Sequence, residues 1–380
     1  MAAPSPVRAL ADHFAELEDP RVERTKRHPL LSILAIAICA VIVGAETWDE
    51  IAEFGTVKEE WFARFLDLPH GIPSHDTFNR VFAALNPRQF RACFAAWMRD
   101  VAAVLPTDVI ALDGKTVRRS HDRHAGREAI HMVSAWANAN RLVLAQERVS
   151  ATSNEITAVP NLLRVLEVKG CLVTIDAIGC QREIAQQIRE QGGDYVLALK
   201  ENQPKLLEEV TATFAQARAN VFVDLQLDQE RNVDKGHGRL EVRHHWVIAD
   251  PDILAWLHDE YGWPGLQAIG MVEAERRLGG ERSRETRYYL LSRPLSAKHF
   301  GEVVRRHLGI ENKVHWTLDV TFGEDQSRIR QGYAAENFVV LRHLALNLLR
   351  RQQTKRLSIK AKRLKAGWDD AYLLQVLQGL

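Results

Sequence analysis

The sequence predicts a mixed α/β protein, in which a helical N-terminal segment precedes a mixed-sheet core that a strand-rich insertion interrupts. Three observations lead there. Residues 8–104 place apolar side chains three and four apart, as in Trp48, Ile51, Ala52, Trp61, Phe62, Phe65 and Leu66, the period of a helix with one buried face. From residue 108 short apolar runs bounded by polar turns take over, starting with Val109-Ile-Ala-Leu-Asp113. Between residues 204 and 296 alternating stretches such as Arg239–Ile248 recur, the period of a half-buried strand.

The elements follow in order. Leu30–Ala45 is apolar apart from Ser32 and follows Arg24, Lys26 and Arg27. A membrane span needs about 20 apolar residues, and here the pattern turns amphipathic at Glu46, so a buried helix is expected. Ser74 after Pro73 is a fitting N-cap for the next helix, and Asn86-Pro87 ends that one and opens another through Phe90, Phe94 and Trp97. Strands are expected at 109–113, 129–139 and 141–149, the last two joined by the polar turn Asn138–Arg141. A helix capped by Ser153 or Asn154 runs to Leu166. Strand Cys171–Ile175, helix Gln181–Gln191 and strand Asp194–Ala198 follow.

That order of three strands, helix, strand, helix, strand is the order of a ribonuclease-H-like core, in which the first and fourth strands lie side by side. Within the insertion, a helix at Leu206–Ala217 precedes strands at 239–248, 266–275 and 284–291, the last reached across a Gly279-Gly280 turn. A helix from Ala297 to about Trp316 and an apolar helix Ala334–Leu349 close the core. Arg350–Lys365 has eight basic residues and no acid, and reads as a basic tail. The expected division is 1–105 helical, 106–350 core with an insertion at about 204–296, and 351–380 tail.

Composition bounds the function classes. At 380 residues the chain exceeds the size at which single cores stop growing. Fifty Lys and Arg against 49 Asp and Glu leave a net charge of +1, so any nucleic-acid surface must be a local patch. Cys39, Cys93, Cys171 and Cys180 lack CxxC spacing, which argues against a zinc site or a disulfide scaffold and suits a reducing cytoplasm. The start Met-Ala-Ala-Pro-Ser-Pro lacks the basic-then-apolar pattern of an export signal.

The chemistry lies in three acids. Asp113 and Asp176 each close an apolar run, and Glu311 sits in a helical pattern far downstream. Strand order brings the two aspartates together, and carboxylates so placed suit hard divalent cations for phosphoryl transfer. Taken singly, each would be an ordinary solvated strand end or cap. Glu324 is the alternative third acid, with Asp325 beside it and Asp319 a weaker competitor.

These residues resemble the DDE transposases of bacterial insertion sequences, in the branch that includes the H-repeat-associated proteins. The resemblance spans nearly the whole chain through Gly71-Ile-Pro-Ser-His-Asp-Thr-Phe78, Leu112-Asp-Gly-Lys-Thr-Val-Arg-Arg-Ser120, Ser153-Asn-Glu-Ile156, Ile175-Asp-Ala-Ile-Gly-Cys-Gln181, Tyr195–Gln203, Gly236-His-Gly-Arg239, Ile310–Phe322 and Glu324-Asp325. It implies a ribonuclease-H-like fold with Asp113, Asp176 and Glu311 as catalytic and metal-binding residues for two Mg²⁺ or Mn²⁺ ions. It implies strand cleavage and strand transfer on double-stranded DNA, at terminal inverted repeats and target, by at least a dimer. The chain departs from the broader cut-and-paste group where Val304, His307 and Leu318 replace Tyr, Arg and Lys, and Leu308 stands where close relatives tend to have Trp.

Candidate DNA contacts are Lys115, Arg118 and Arg119 after the first acid, Lys200, Asn202 and Gln203 after a strand, His237 and Arg239 at a turn, and Arg305, Arg306 and Lys313 around Glu311. His244 and His245 point to opposite strand faces and so do not share a metal. Trp246 and Trp316 are read as core, with base stacking the rival role. Two further readings stay open: a catalytically silent DNA-binding derivative that regulates transposition, and a nonspecific metal-dependent nuclease.

Overall fold

The computed structural model describes residues 8–102, 108–121, 126, 128–150, 154–219, 225–236, 239–278, 281–352 and 356–379. The N-terminal third is helical as expected: α1 (Arg8–Phe14), α2 (Leu30–Val43), α3 (Trp48–Val57), α4 (Glu59–Phe62), α5 (His75–Ala84) and α6 (Pro87–Val101). Ser74 caps α5 by accepting from the Thr77 amide, and Asn86 caps α6 by accepting from Arg88, with Pro87 in the first turn, where its missing N–H costs nothing. Helix α2 is buried on every side from Ser32 to Ile42, which is why its pattern has no polar face. Among the described residues no single helix is long and apolar enough to cross a membrane.

Among the described residues nine strands form one mixed sheet in the order β3-β2-β1-β4-β5-β9-β8-β7-β6. They are β1 (Val109–Val117), β2 (Ile130–Ala137), β3 (Leu142–Arg148), β4 (Leu172–Ile175), β5 (Asp194–Leu199), β6 (Leu227–Gly236), β7 (Arg239–Ile248), β8 (Ala268–Leu278) and β9 (Glu281–Leu291). Strand β1 pairs parallel with β4 over Val109–Leu112, as strand order requires. It outlasts that partner: Asp113–Val117 pair only with β2, which leaves an open edge beyond Leu112. Helices α7 (Glu155–Val165), α8 (Arg182–Glu190), α9 (Pro204–Arg218) and α10 (Pro251–Tyr261) connect the strands. Asn154 caps α7 through the Ile156 amide, whereas Ser153 and the Gly279-Gly280 turn lie outside the described residues.

The strand-rich insertion extends the core sheet: β9 pairs antiparallel with β5 and carries β8, β7 and β6 outward as one continuous sheet. The structure departs from expectation in three places. Strand β6 and helix α10 were not expected; β6 is an edge strand whose polar side chains stay largely in solvent, whereas α10 does carry a helical period in Ile253, Leu254, Leu257 and Tyr261 that the sequence reading passed over. The helix expected from 297 to 316 divides into α11 (Ala297–His307), a π-helical turn Glu311–His315 and α12 (Trp316–Thr321). Lastly, the basic tail is folded.

After α13 (Ala334–Arg351), which is buried along almost its whole length, come α14 (Ile359–Trp368) and α15 (Asp370–Leu377). Lys362 donates to Leu349 O at 2.7 Å, capping the end of α13. Arg363 donates to Val41 O and Ile42 O at 3.1 and 3.3 Å, capping the end of α2. Cations at these C-terminal carbonyls satisfy orphan acceptors and offset the helix dipoles. The N-terminal helices, the sheet and these last helices share one contiguous apolar core. Buried Arg91 on α6 pairs with Glu336 on α13, which Arg148 of β3 also reaches at 2.9 Å.

Candidate active site

Strand β1 delivers Asp113 to the point where β4 stops, and Asp176 is the first residue beyond β4. A 3-10 turn, Ala177–Gly179, carries the chain away from Asp176. A Cβ at Gly179 would overlap the Ile175 side chain, so only glycine lets this turn close. Asn202 fastens the turn by donating to Ala177 O at 2.6 Å and Cys180 O at 3.3 Å, and Gln203 donates to Cys180 O at 3.1 Å. Asn202 and Gln203, candidate DNA contacts, thus hold the loop of the second acid.

Glu311 opens the π-helical turn, and His315 closes it. Such turns re-aim side chains that a regular helix would send elsewhere, and they are frequent at functional sites. Asp113, Asp176 and Glu311 line one cleft of about 260 Å³ together with Lys200, Arg287 and His307. His315 Nδ1 lies 3.5 Å from Asp113 Oδ2. Burial, followed by the charges of Asp176, Glu311 and Glu155, pushes the Asp113 carboxyl up to about 7. Burial and then Glu155 also raise Asp176, against the opposing pull of Lys200.

Two histidines beside the acids are held neutral, and Lys115 is already paired. Burial holds His315 at about 4, with its Nε2 buried and unpartnered. Burial, and next the Arg287 guanidinium, holds His307 at about 4, and its Nδ1 shares a 2.9 Å hydrogen bond with Thr174 Oγ1. Lys115 faces inward: it pairs with Asp319 at 2.5 Å and with fully buried Glu324, so it is an internal counterion rather than a free phosphate contact. The same pairing accounts for Glu324, whose carboxylate Lys115 and Arg342 hold below its ordinary value despite burial and which does not line the cleft.

Among the other candidates, Arg118, Arg119, Lys200, Arg306 and Lys313 are exposed. Arg305 and Arg239 are committed to Asp234 at 2.6 Å and Glu241 at 3.2 Å, and His237 lies outside the described residues. Trp246 is buried beneath Arg218, whereas Trp316 is 58% exposed and so is not core. His245 is buried and His244 partly buried, on opposite faces as expected. Sequence reasoning passed over His315, Glu155, Arg287 and Tyr289. The first two stood inside quoted motifs, and the last pair shares a face of β9 by two-residue alternation.

A model of the transposase DDE domain matches residues 105–348, and a model of the domain associated with it matches residues 11–98. The chain belongs to the DDE transposase family. This DDE transposase is 39% identical over 377 residues to the "H repeat-associated putative transposase YhhI" of Escherichia coli (strain K12), covering 98% of both chains. It is 46% identical over 288 residues to the "Uncharacterized protein in dhlA 3'region" of Xanthobacter autotrophicus, which is 73% of this chain and 92% of that one. Over 75 residues, 20% of this chain, it is 39% identical to the "Inactive transposase YbfQ" of Escherichia coli (strain K12).

Proposed function

We propose that this DDE transposase cleaves DNA strands at the ends of an insertion sequence and joins them to target DNA, with Asp113, Asp176 and Glu311 as its catalytic carboxylates. One observation carries the reading: three acids from separate elements line a single cleft, where Asp113 is raised to about 7. Family membership supplies the substrate class. The strand order and the parallel β1–β4 pair support a ribonuclease-H-like core.

Divalent cations fit these residues. Among the described residues no three His, Cys, Asp or Glu side chains converge on one point, and the acids instead line an open cleft. The donor set is nonetheless hard oxygen, Asp176 Oδ1 is buried without a partner, and neighbouring carboxylates push the Asp113 carboxyl up, a conflict that positive charge relieves. Asp113, Asp176 and Glu311 would hold two Mg²⁺ or Mn²⁺ ions, which when bound supply Lewis-acid activation and offset charge building on the phosphate.

The chain's own groups do the rest. Lys200 at the cleft and exposed Arg118 and Arg119 beyond β1 are placed to take backbone phosphates, as are Arg306 and Lys313 near Glu311. Buried Val304 and half-buried Leu308 form the apolar part of the wall beside the acids. With one cleft lined by all three acids among the described residues of a chain, two DNA ends call for at least two copies. The silent derivative has one observation in its favour: His307, where the broader group has Arg, is held at about 4 and brings no charge to the cleft.

The test incubates full-length protein and its Asp113→Ala, Asp176→Ala and Glu311→Ala variants with the DNA flanking the gene, in Mg²⁺ or Mn²⁺. Cleavage and joining by wild type, lost in all three variants, is the expected result. Binding without cleavage would favour the silent derivative, equal cutting of unrelated DNA a nuclease. Cleavage surviving Asp176→Ala would overturn the assignment.

A further inference from the structure

The Ser153–Ile156 motif has no role in the site as built so far, yet it brings Glu155 to the same open edge. Helix α7 packs on the sheet face opposite Asp113, because Gly114, not Asp113, meets it. A Cβ at Gly114 would overlap both the Glu155 carboxylate and His131 Nε2, so the glycine leaves room for this acid against the backbone of β1. Glu155 Oε1 lies 2.6 Å from His131 Nε2, and His131 Nδ1 lies 2.8 Å from Thr116 Oγ1, a chain of contacts that fixes the carboxylate's direction.

We propose that Glu155 is a fourth carboxylate of the cation site, approaching the β1 edge from the face opposite Glu311, with His131 as its positioning residue. The inference rests on the metal-dependent reading above. Helix α7 packs on the Ala177–Gly179 turn that follows Asp176, and Glu155 lines a cavity with Ile178 of that turn and His131, so its negative charge falls on both Asp113 and Asp176. That repulsion costs stability in the metal-free chain and is recovered when cations bind, which is the pattern of a ligand set. The site then has a glutamate from each sheet face flanking two aspartates at the edge, enough oxygen donors for two hard ions to share.

The experiment titrates Mn²⁺ into the full chain without DNA by calorimetry and follows thermal unfolding with and without Mn²⁺. Wild type is compared with Glu155→Gln, Glu155→Asp, His131→Asn and Asp113→Asn. Glu155→Gln is expected to weaken Mn²⁺ binding roughly 10- to 100-fold and His131→Asn roughly tenfold. Glu155→Gln should also unfold no earlier than wild type in the absence of metal. Glu155→Asp keeps the charge and tests the site if the glutamine variant does not fold, with an intermediate affinity expected. Wild-type Mn²⁺ affinity in Glu155→Gln or Glu155→Asp, with loss confined to Asp113→Asn, would overturn this inference and leave the three-acid reading standing. No Mn²⁺ uptake by wild type would overturn both.

Discussion

Replacing Asp113 with Asn should make the metal-free protein more stable, although it removes a proposed catalytic group. Asn keeps the shape of the side chain and can still accept from the Gly114 amide, which Asp113 Oδ1 does at 2.9 Å. What it removes is a charge that burial and three nearby carboxylates oppose. The folded pKa of about 7 stands above the ordinary 3.8. Between about pH 4 and pH 7, therefore, the native state holds a proton that the unfolded chain has released, and wild-type stability falls as pH rises through that window. At about 1.4 kcal/mol per pH unit the full cost above pH 7 is at most about 4 kcal/mol, and solvent in the cleft brings the expected gain to about 2–4 kcal/mol. Urea unfolding from pH 4 to pH 8 in chelator reads it directly: the curves should meet near pH 4 and separate as pH rises. Parallel curves, or a less stable Asn variant at pH 8, would refute the claim that Asp113 sits among opposing acids.

Other consequences are simpler to check. Lys115→Met should cost about 3–5 kcal/mol in thermal or urea unfolding, because it leaves the buried Glu324 carboxylate with Arg342, 3.9 Å away, in place of its direct partner; a side chain that only gripped DNA would leave stability unchanged. Asn202→Ala should cost about 1–3 kcal/mol by freeing the 177–180 turn, and should lower strand cleavage while leaving DNA affinity, measured by mobility shift, unaltered. Ser74→Ala should cost about 1 kcal/mol through the lost α5 cap. A fragment cut at residue 105 should not yield a soluble catalytic domain, since it exposes the apolar faces of α13 and leaves Glu336 without Arg91; a monodisperse, folded fragment by light scattering and circular dichroism would contradict this.

The core strands and the meeting of Asp113 with Asp176 could be read from the sequence because each run is apolar, short and bounded by turns. Long-range pairing left no such trace. Nothing in Leu227–Gly236 signals a strand, since an edge strand in solvent keeps its polar side chains on both faces. Lys362 and Arg363 looked like tail charges because a sequence counts cations without showing the helix ends they cap. Glu311 was legible as a motif, but the π-helical turn that directs it and His315 was not, because the phase shift from one extra residue shows only in a longer apolar pattern than the six residues of α12 that follow.

Continuity of the sheet across β5 and β9 ties distant parts of the chain to one gauge. Arg287 and Tyr289 reach the cleft because Tyr289 stands opposite Ala198 and Leu290 opposite Leu197. Sliding β9 by a single residue would turn both away and present Tyr288 instead. The four outer strands therefore set the alignment of the cleft wall, and a loop inserted at the rim between β7 and β8 is tolerable where a residue inserted within β5 or β9 would break that alignment.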